Sequence, residues 1–491
     1  MRLLLLDPNI EGRAGEPPLN LALLKAYVNQ RTSHRARIVD FTFRKRDWRR
    51  HLLDSLARNP VDLVGISMMS FNYAQALEVA GFIKGHMSVP IIFGGVHAIL
   101  MPGEVIRNSQ ADMVCVGEGE YVLADLLEAG LNPAGVKGLW YKTAGGKIVR
   151  NDRQPFIPNL DDLPFPDWDD FDLTSYFKVN IHHLPMMCSR GCPYECTYCS
   201  ASALKKALGW TKVRRRSVDS VMTEIARLDD RYAAAGFRHI QFNDDTFILD
   251  KRFVLDFCRA YRERGFHRRI LWAANVRADL VTEEVIAAMR EAGCYELGLG
   301  VESVDDFIRN RVYKRNMTVD EIRRAAAAIK KNGIQLHIPI ILGSPYDTVE
   351  IMERNLAFAK ELDAECLIFP VLMPLPGTEI RDVCRREGLI EKERFEGAHV
   401  MHTRPVIRTK YASRRQVARM IRKIRLSMMA KYALEGLRRK GVVFLRDLLV
   451  FLVRDKPRFR LEIDNAWKFT IGKYNLEKYE REWNVLPYGP P

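Results

Sequence analysis

Residues 188–200 read CSRGCPYECTYCS, with three residues between Cys192 and Cys196 and two between Cys196 and Cys199. Three thiolates this close cannot all serve chain crosslinks, but they can grip three irons of a [4Fe–4S] cube. The fourth iron is then left without a protein ligand, open to something else. Zinc is the competing reading. Structural zinc takes four protein ligands, usually in two separated pairs, and His182, His183 or Cys188 is near enough in sequence to be the fourth. Disulfides fit worse: nine Cys in 491 residues is a sparse, odd number with no secretory signal, so a reducing cytoplasm is expected. Cys188 reads as a structural residue in the strand that leads into the loop.

Downstream of this loop the chain repeats a strand–helix unit six times. Strands are expected near 184–190, 237–243, 270–275, 295–301, 334–342 and 365–371, with helices such as 217–235, 282–292 and 318–332 between them. Repeated βα units of this length predict a parallel barrel or part of one, with chemistry at the carboxyl ends of its strands. Polar groups stand at those ends: Asp244 and Asp245, then Asn275 and Arg277, then Glu302.

Upstream, residues 2–6, 36–40, 61–67, 89–93 and 112–116 are short apolar runs, with helical patterns such as 17–30 and 72–86 between them. The alternation predicts a doubly wound, Rossmann-like parallel sheet whose binding loops follow its strands. Those loops hold Pro8 and Asn9; Ser67, Met68 and Met69; Gly94, Gly95 and His97; and Gly117, Glu118 and Gly119. Glycines there let backbone approach a large flat ligand, and no G-x-G-x-x-G phosphate fingerprint is present. Residues 146–183 form a Pro- and Asp-rich connector.

The Cys-x-x-x-Cys-x-x-Cys loop, with Tyr198 just before its last Cys, resembles the radical S-adenosylmethionine (SAM) enzymes. The order GIS, GGxHA and GEGE ahead of it, and the Pro374–Thr378 turn after the sixth strand, resemble the cobalamin-binding members of that family. The resemblance covers roughly residues 1–390. It implies a [4Fe–4S] cluster on Cys192, Cys196 and Cys199, SAM on the open iron, and cobalamin in the front domain. It further implies that one of Asp244 and Asp245 meets the SAM ammonium while the other caps the next helix. Arg277 would pair with the SAM carboxylate, Glu302 would bind the ribose or the amino group, and residues 337–345 would face adenine. Because D-x-H-x-x-G is absent, the implied cobalamin is base-off with no protein His beneath the cobalt.

The activity so implied is a cobalamin-dependent methyl transfer to an unactivated carbon of a small-molecule or lipid-like substrate. Cyclisation or another radical outcome without methyl transfer is the alternative. An external one-electron donor of flavodoxin or ferredoxin type is expected, and no acid–base residue is isolated. Transfer RNA methylthiolation would need three more Cys in the front domain, where only Cys115 precedes residue 188.

Residues 401–491 hold 22 Lys and Arg against 8 Asp and Glu, which accounts for +14 of the net +15. The segment 412–440 has helical apolar spacing with a basic face, and 441–453 is apolar but too short to span a bilayer. Three readings fit: a helical cap on the barrel, a peripheral helix on anionic membrane, and, behind these, nucleic acid or another polyanion. The expected division is 1–145 for the cobalamin domain, 146–183 for the linker, 184–390 for the partial (β/α)6 barrel, and 391–491 for a basic α-helical region.

Overall fold

A computed structural model describes residues 1–11, 15–179, 183–390 and 405–440. The front sheet contains β1 (Arg2–Leu6), β2 (Arg35–Val39), β3 (Leu63–Ser67), β4 (Ile91–Gly94), β5 (Met113–Cys115), β6 (Leu139–Lys142) and β7 (Ile148–Arg150), in the order β2-β1-β3-β4-β5-β6-β7. The first five strands are parallel. Alternate residues of β1 fill separate cores. Leu3 and Leu5 join Ile38 and Ile92 on one face, while Leu4 and Leu6 join Val39, Val64 and Phe93 on the other. A strand buried on both faces needs an unbroken apolar run, and that is why RLLLL carries no polar alternation.

Strands β6 and β7 add an antiparallel hairpin at the sheet edge that the apolar pattern did not predict. Residues 148–150 therefore belong to the front sheet rather than to the connector. The rest of the connector ties both halves together. Asp167 and Asp170 hold the buried Lys25 of the front domain at 3.1 and 2.8 Å, and Asp161 accepts from Ser217 N of the barrel at 2.9 Å.

The barrel half begins with β8 (His183–Met186), and a two-stranded antiparallel ribbon follows, β9 (Ser189–Arg190) with β10 (Arg214–Arg215). Next come β11 (His239–Phe242), β12 (Leu271–Val276), β13 (Cys294–Leu299), β14 (Gln335–Pro339) and β15 (Cys366–Ile368). The parallel order is β15-β14-β13-β12-β11-β8, and β15 does not pair with β8, so the barrel stays open. Each crossover helix starts on a side-chain cap. Ser217, Asp250, Thr282, Thr318 and Thr348 accept from backbone N–H groups of Val218–Tyr232, Lys251–Glu263, Glu283–Glu291, Val319–Lys331 and Val349–Glu361. Phe242, Phe247, Phe257 and Trp272 pack edge to face or tilted between the sheet and its helices.

Two expectations change here. The first barrel strand ends at Met186, so Cys188 stands in a buried turn between β8 and β9 rather than within a strand. Neither Asp244 nor Asp245 caps the next helix, because Asp250 does so by accepting from Phe253 N at 3.1 Å.

Helix Arg414–Lys440 seats Val417, Met420, Ile421 and Ile424 against Leu342, Met352, Leu356 and Val371. Its first turns thus form a cap on the barrel. Leu426, Leu434 and Leu437 are exposed further along. Among the described residues no helix is long and apolar enough to cross a membrane. The apolar run 441–453 lies outside the described residues.

Candidate active site

The cysteine loop is anchored from below by a carboxylate. Asp244, fully buried at the end of β11, accepts from Cys188 N at 3.0 Å and from the Ser189 hydroxyl. Burial raises its pKa against those donors. It therefore shapes the turn into the loop, whereas its neighbour Asp245 is reached by solvent at the barrel mouth. Crowding by protein, and then the charge of Asp244, push Asp245 up to about 6.

Past the turn, Thr197 locks the loop to the far side of the barrel. Its hydroxyl donates to Val312 O at 2.6 Å, its N–H to Tyr313 O at 3.2 Å, and its carbonyl accepts from Ile380 N at 3.0 Å. Tyr198 packs edge to face on Tyr313 with ring centroids 4.9 Å apart. Cys196 is buried, and Cys192 and Cys199 are half-buried. Burial raises the thiol of Cys192 and takes that of Cys199 up to about 11. Among the described residues no three His, Cys, Asp or Glu side chains converge closely enough to chelate one ion. His182, one candidate for a fourth zinc ligand, lies outside the described residues. A cluster that gives each thiolate its own iron needs the sulfurs farther apart.

Two guanidinium groups meet at Cys196. Arg277 Nη1 stands 4.0 Å from its sulfur and Arg315 Nη1 3.8 Å. Arg277 also donates to Arg315 O at 2.8 Å, pairs with Asp279 at 3.0 Å, and lies 3.5 Å over the Tyr194 ring. The sequence singled out Arg277 but not Arg315 or Tyr194. Arg315 sits in a Lys-Arg-Asn loop with no motif, and nothing local distinguishes it from a solvated arginine. Its second amino group donates to Gly300 O at 2.6 Å. A Cβ on Gly300 would lie 2.8 Å from Arg315 and 2.9 Å from Glu302, so a larger residue there would push both side chains aside.

Glu302 itself is buried in the left-handed region, at φ 63°. That conformation is strained for a side-chain-bearing residue and is held here against Tyr198, Arg315 and Arg277. Burial raises its carboxyl above the usual range in spite of those partners. Asn275 is exposed and lies over Gly298, where a Cβ would stand 2.4 Å from its Oδ1.

The front domain presents a different edge. Gly95, at φ +90°, runs so close to the β3 loop that a Cβ would be 2.5 Å from Met68 O and 3.0 Å from Ser67 Oγ. Met68 N donates to Gly94 O and His97 N to Met68 O, drawing the Ser67–Met69 and Gly94–His97 loops together. The His97 ring takes Ser70 Oγ at Nδ1 (2.9 Å) and lies tilted against Tyr73 with ring centroids 4.4 Å apart; its buried Nε2 has no partner. Burial, then Arg381, pull it down to about 4, so the imidazole is neutral. Asp7, beside Pro8 and Asn9, is pushed up to about 7 by burial and then by Asp40. Asn9 reaches Thr42 Oγ1 at 3.3 Å. Gly117, at φ +149°, has open space where a Cβ would be, and Gly119 abuts Leu24.

Glu118 departs from the expectation that it faces a corrin. Its carboxylate is taken up by Arg190 and Arg214 of the β9–β10 ribbon and by Ile157 N, which hold its pKa down against burial. Across the same seam Glu16 bonds His183 at 3.1 Å and Asn243 at 2.8 Å. Gly377 of the Pro374–Thr378 turn packs on Leu100 of the short helix Val96–Leu100. The front loops and the barrel mouth therefore face each other.

A glycine-edged binding domain set over a thiol loop in an open barrel is the layout of an iron–sulfur enzyme that works with a second cofactor. The comparisons agree. Residues 186–359 match the Radical SAM superfamily, and residues 12–127 match the B12 binding domain. An uncharacterized methyltransferase of Pyrococcus horikoshii is 30% identical over 444 residues, 87% of this chain and 92% of its own. The anaerobic magnesium-protoporphyrin IX monomethyl ester cyclase of Rubrivivax gelatinosus is 25% identical over 399 residues, 77% of this chain and 69% of its own. The radical S-adenosylmethionine methyltransferase TsrM of Kitasatospora setae, solved with tryptophan substrate and a SAM analog, gives a TM-score of 0.67 at 20% identity. It covers 85% of this chain and 82% of that one, a likeness of fold. The chain belongs to the radical SAM superfamily, in the group that carries a B12 binding domain ahead of the barrel.

Proposed function

We propose that the protein is a cobalamin-dependent radical SAM methyltransferase acting on a carbon of a small molecule. The observation that carries this reading is the juxtaposition of two unlike edges, a charged thiol-bearing barrel mouth and a neutral, glycine-built front edge, across one seam. When bound, the cluster, SAM and cobalamin supply an electron, a hydrogen-abstracting radical and a methyl group; the cofactors carry the hard chemistry.

The protein's own work is to hold them. Cys192, Cys196 and Cys199 would hold the cluster. Arg277 and Arg315 place positive charge at Cys196, which favours the reduced state of the cluster. Asp245 and Glu302 offer acceptors for the ammonium and hydroxyl groups of SAM, and the arginines offer donors for its carboxylate. Asn275, on the exposed end of β12, is free to turn toward the nucleoside or the substrate. Pro8, Asn9, the Ser67–Met69 loop, Gly94, Gly95, His97, Gly117 and Gly119 would line the corrin. The neutral His97 Nε2 remains for a polar group on its periphery. Electrons come from an external one-electron donor.

Anaerobic protein reconstituted with iron, sulfide and hydroxocobalamin should carry four irons and one cobalamin per chain. With reductant it should convert SAM to 5′-deoxyadenosine and transfer label from methyl-labelled SAM to cobalamin. Cofactor binding with deoxyadenosine formation but no label transfer would overturn the methyltransferase reading. It would favour a redox or cyclising outcome such as the Rubrivivax relative's name describes.

A further inference from the structure

Four charged residues bridge the seam beside the cysteine loop. Glu118 and Glu120 stand in the loop and first helical turn after β5; Arg190 and Arg214 are direct register partners in the β9–β10 ribbon. Arg190 donates to Glu118 Oε1 at 2.9 Å and to Glu120 Oε1 at 2.5 Å. Arg214 grips both oxygens of Glu118, at 2.8 and 2.9 Å. The connector closes the set: Ile157 N donates to Glu118 at 2.8 Å, and Ile157 O accepts from Arg214 at 2.8 Å. The four side chains are 5–15% exposed.

Two buried cations facing two buried anions make a poor adhesive, because desolvation offsets most of their attraction, and an apolar contact would hold as well. Such a network differs from an apolar contact in being directional. A bidentate guanidinium–carboxylate pair fixes both the distance and the orientation of the elements that carry it. Those elements are specific here. Glu118 follows Gly117, whose backbone faces open space at the front edge, and Arg190 precedes Cys192 by two residues.

We propose that Glu118, Glu120, Arg190 and Arg214 form a positioning clamp that fixes the corrin-binding edge relative to the cluster loop. The four side chains are taken up by one another and by the connector, so they act through the loops on either side. The inference rests on the cofactor assignment under Proposed function. It adds that the spacing of the two cofactors is set by this ion network rather than by the apolar seam alone.

The test reads geometry and needs no substrate. Protein loaded with both cofactors is poised with cob(II)alamin and the reduced cluster, both paramagnetic, and their separation is measured by pulsed electron paramagnetic resonance. The native protein should give one narrow distance distribution. Glu118→Gln and Arg190→Met should shift it to longer, broader distances with iron and cobalamin content unchanged. Arg190→Lys should recover part of the narrow population, and Glu78→Gln, which breaks the exposed pair with Arg49, should leave it as it was. Should Glu118→Gln fail to fold, Glu120→Gln, which removes one bond, takes its place. A native-like distribution in the clamp variants overturns the proposal, as does loss of the cluster alone, which would make the network a local brace of the cysteine loop. Native protein that binds neither cofactor fails the functional reading instead, and the clamp falls with it.

Discussion

The two edges that meet at the seam are built from opposite materials. On the barrel side, ionisable side chains stand close together: Arg277 and Arg315 at the Cys196 sulfur with Glu302 beside them, and Asp244 and Asp245 just past β11. On the front side, glycines and backbone do the shaping, and three ionisable groups of the edge are shifted or paired. Asp7 is raised to about 7, His97 is lowered to about 4, and Glu118 is turned away onto arginines. The contrast fits the proposed division of labour between the two edges. A small zwitterionic cofactor is recognised by placed charges, whereas a large, flat, amide-fringed ring is recognised by shape and by backbone.

Substitutions should break this contrast on one side at a time. The largest effect is expected from Cys196→Ala: iron content should collapse and deoxyadenosine formation should fall to background, while cobalamin still binds, read by iron assay and absorbance. Next is the mirror case, Gly95→Val. Its side chain would start 2.5 Å from Met68 O at φ +90°, a strain of about 1–3 kcal/mol before any clash. Cobalamin retention after gel filtration should drop by about tenfold or more, the equivalent of ~1.4 kcal/mol, with iron unchanged.

A finer probe is Arg315→Met. The cluster should still assemble, but losing a cation and a hydrogen bond at Cys196 should make it harder to reduce. The midpoint should fall by roughly 60 mV, the one-electron equivalent of ~1.4 kcal/mol, in a potentiometric titration followed by magnetic resonance.

The smallest effect is on stability against pH. Asp7 ionises near 3.8 when exposed and near 7 in the fold, so the native state binds a proton that the unfolded chain has released. Its stabilising contribution is full below about pH 4 and is lost as pH rises through 7. In Asp7→Asn, thermal melts of the apo protein should lose part of their decline between pH 5 and 7.5, by several degrees given ~1.4 kcal/mol per pH unit and ~2–4 °C per kcal/mol for large domains.

The architecture was readable because its signals are local. Leu3–Leu6 declare a strand buried on both faces, and Ser, Thr or Asp stands three or four residues before the buried start of each crossover helix. The cysteine loop was readable because three thiols at fixed spacing have few other uses. The β6–β7 hairpin was missed because Trp140, Tyr141 and Ile148 are only half-buried, leaving a weak apolar pattern around Gly145-Gly146. Partnerships across the chain were not readable at all. Arg315 reaches Cys196 from 119 residues away, and Arg190 reaches Glu118 from 72. The aspartate pair misled for a related reason. Asp244 answers to Cys188 and Ser189, 56 and 55 residues upstream, while the ordinary local cap signal sat at Asp250.

The gap between β15 and β8 has a wider meaning. A closed cylinder sets an upper limit on what can be admitted to its centre, but a wall with a missing panel allows the bulk of a guest to hang outside while one carbon is presented within. Whatever covers that panel, and helix Arg414–Lys440 packs on Leu342 and Val371 beside β15, then becomes the part that selects the guest, leaving the radical machinery untouched as specificity diverges.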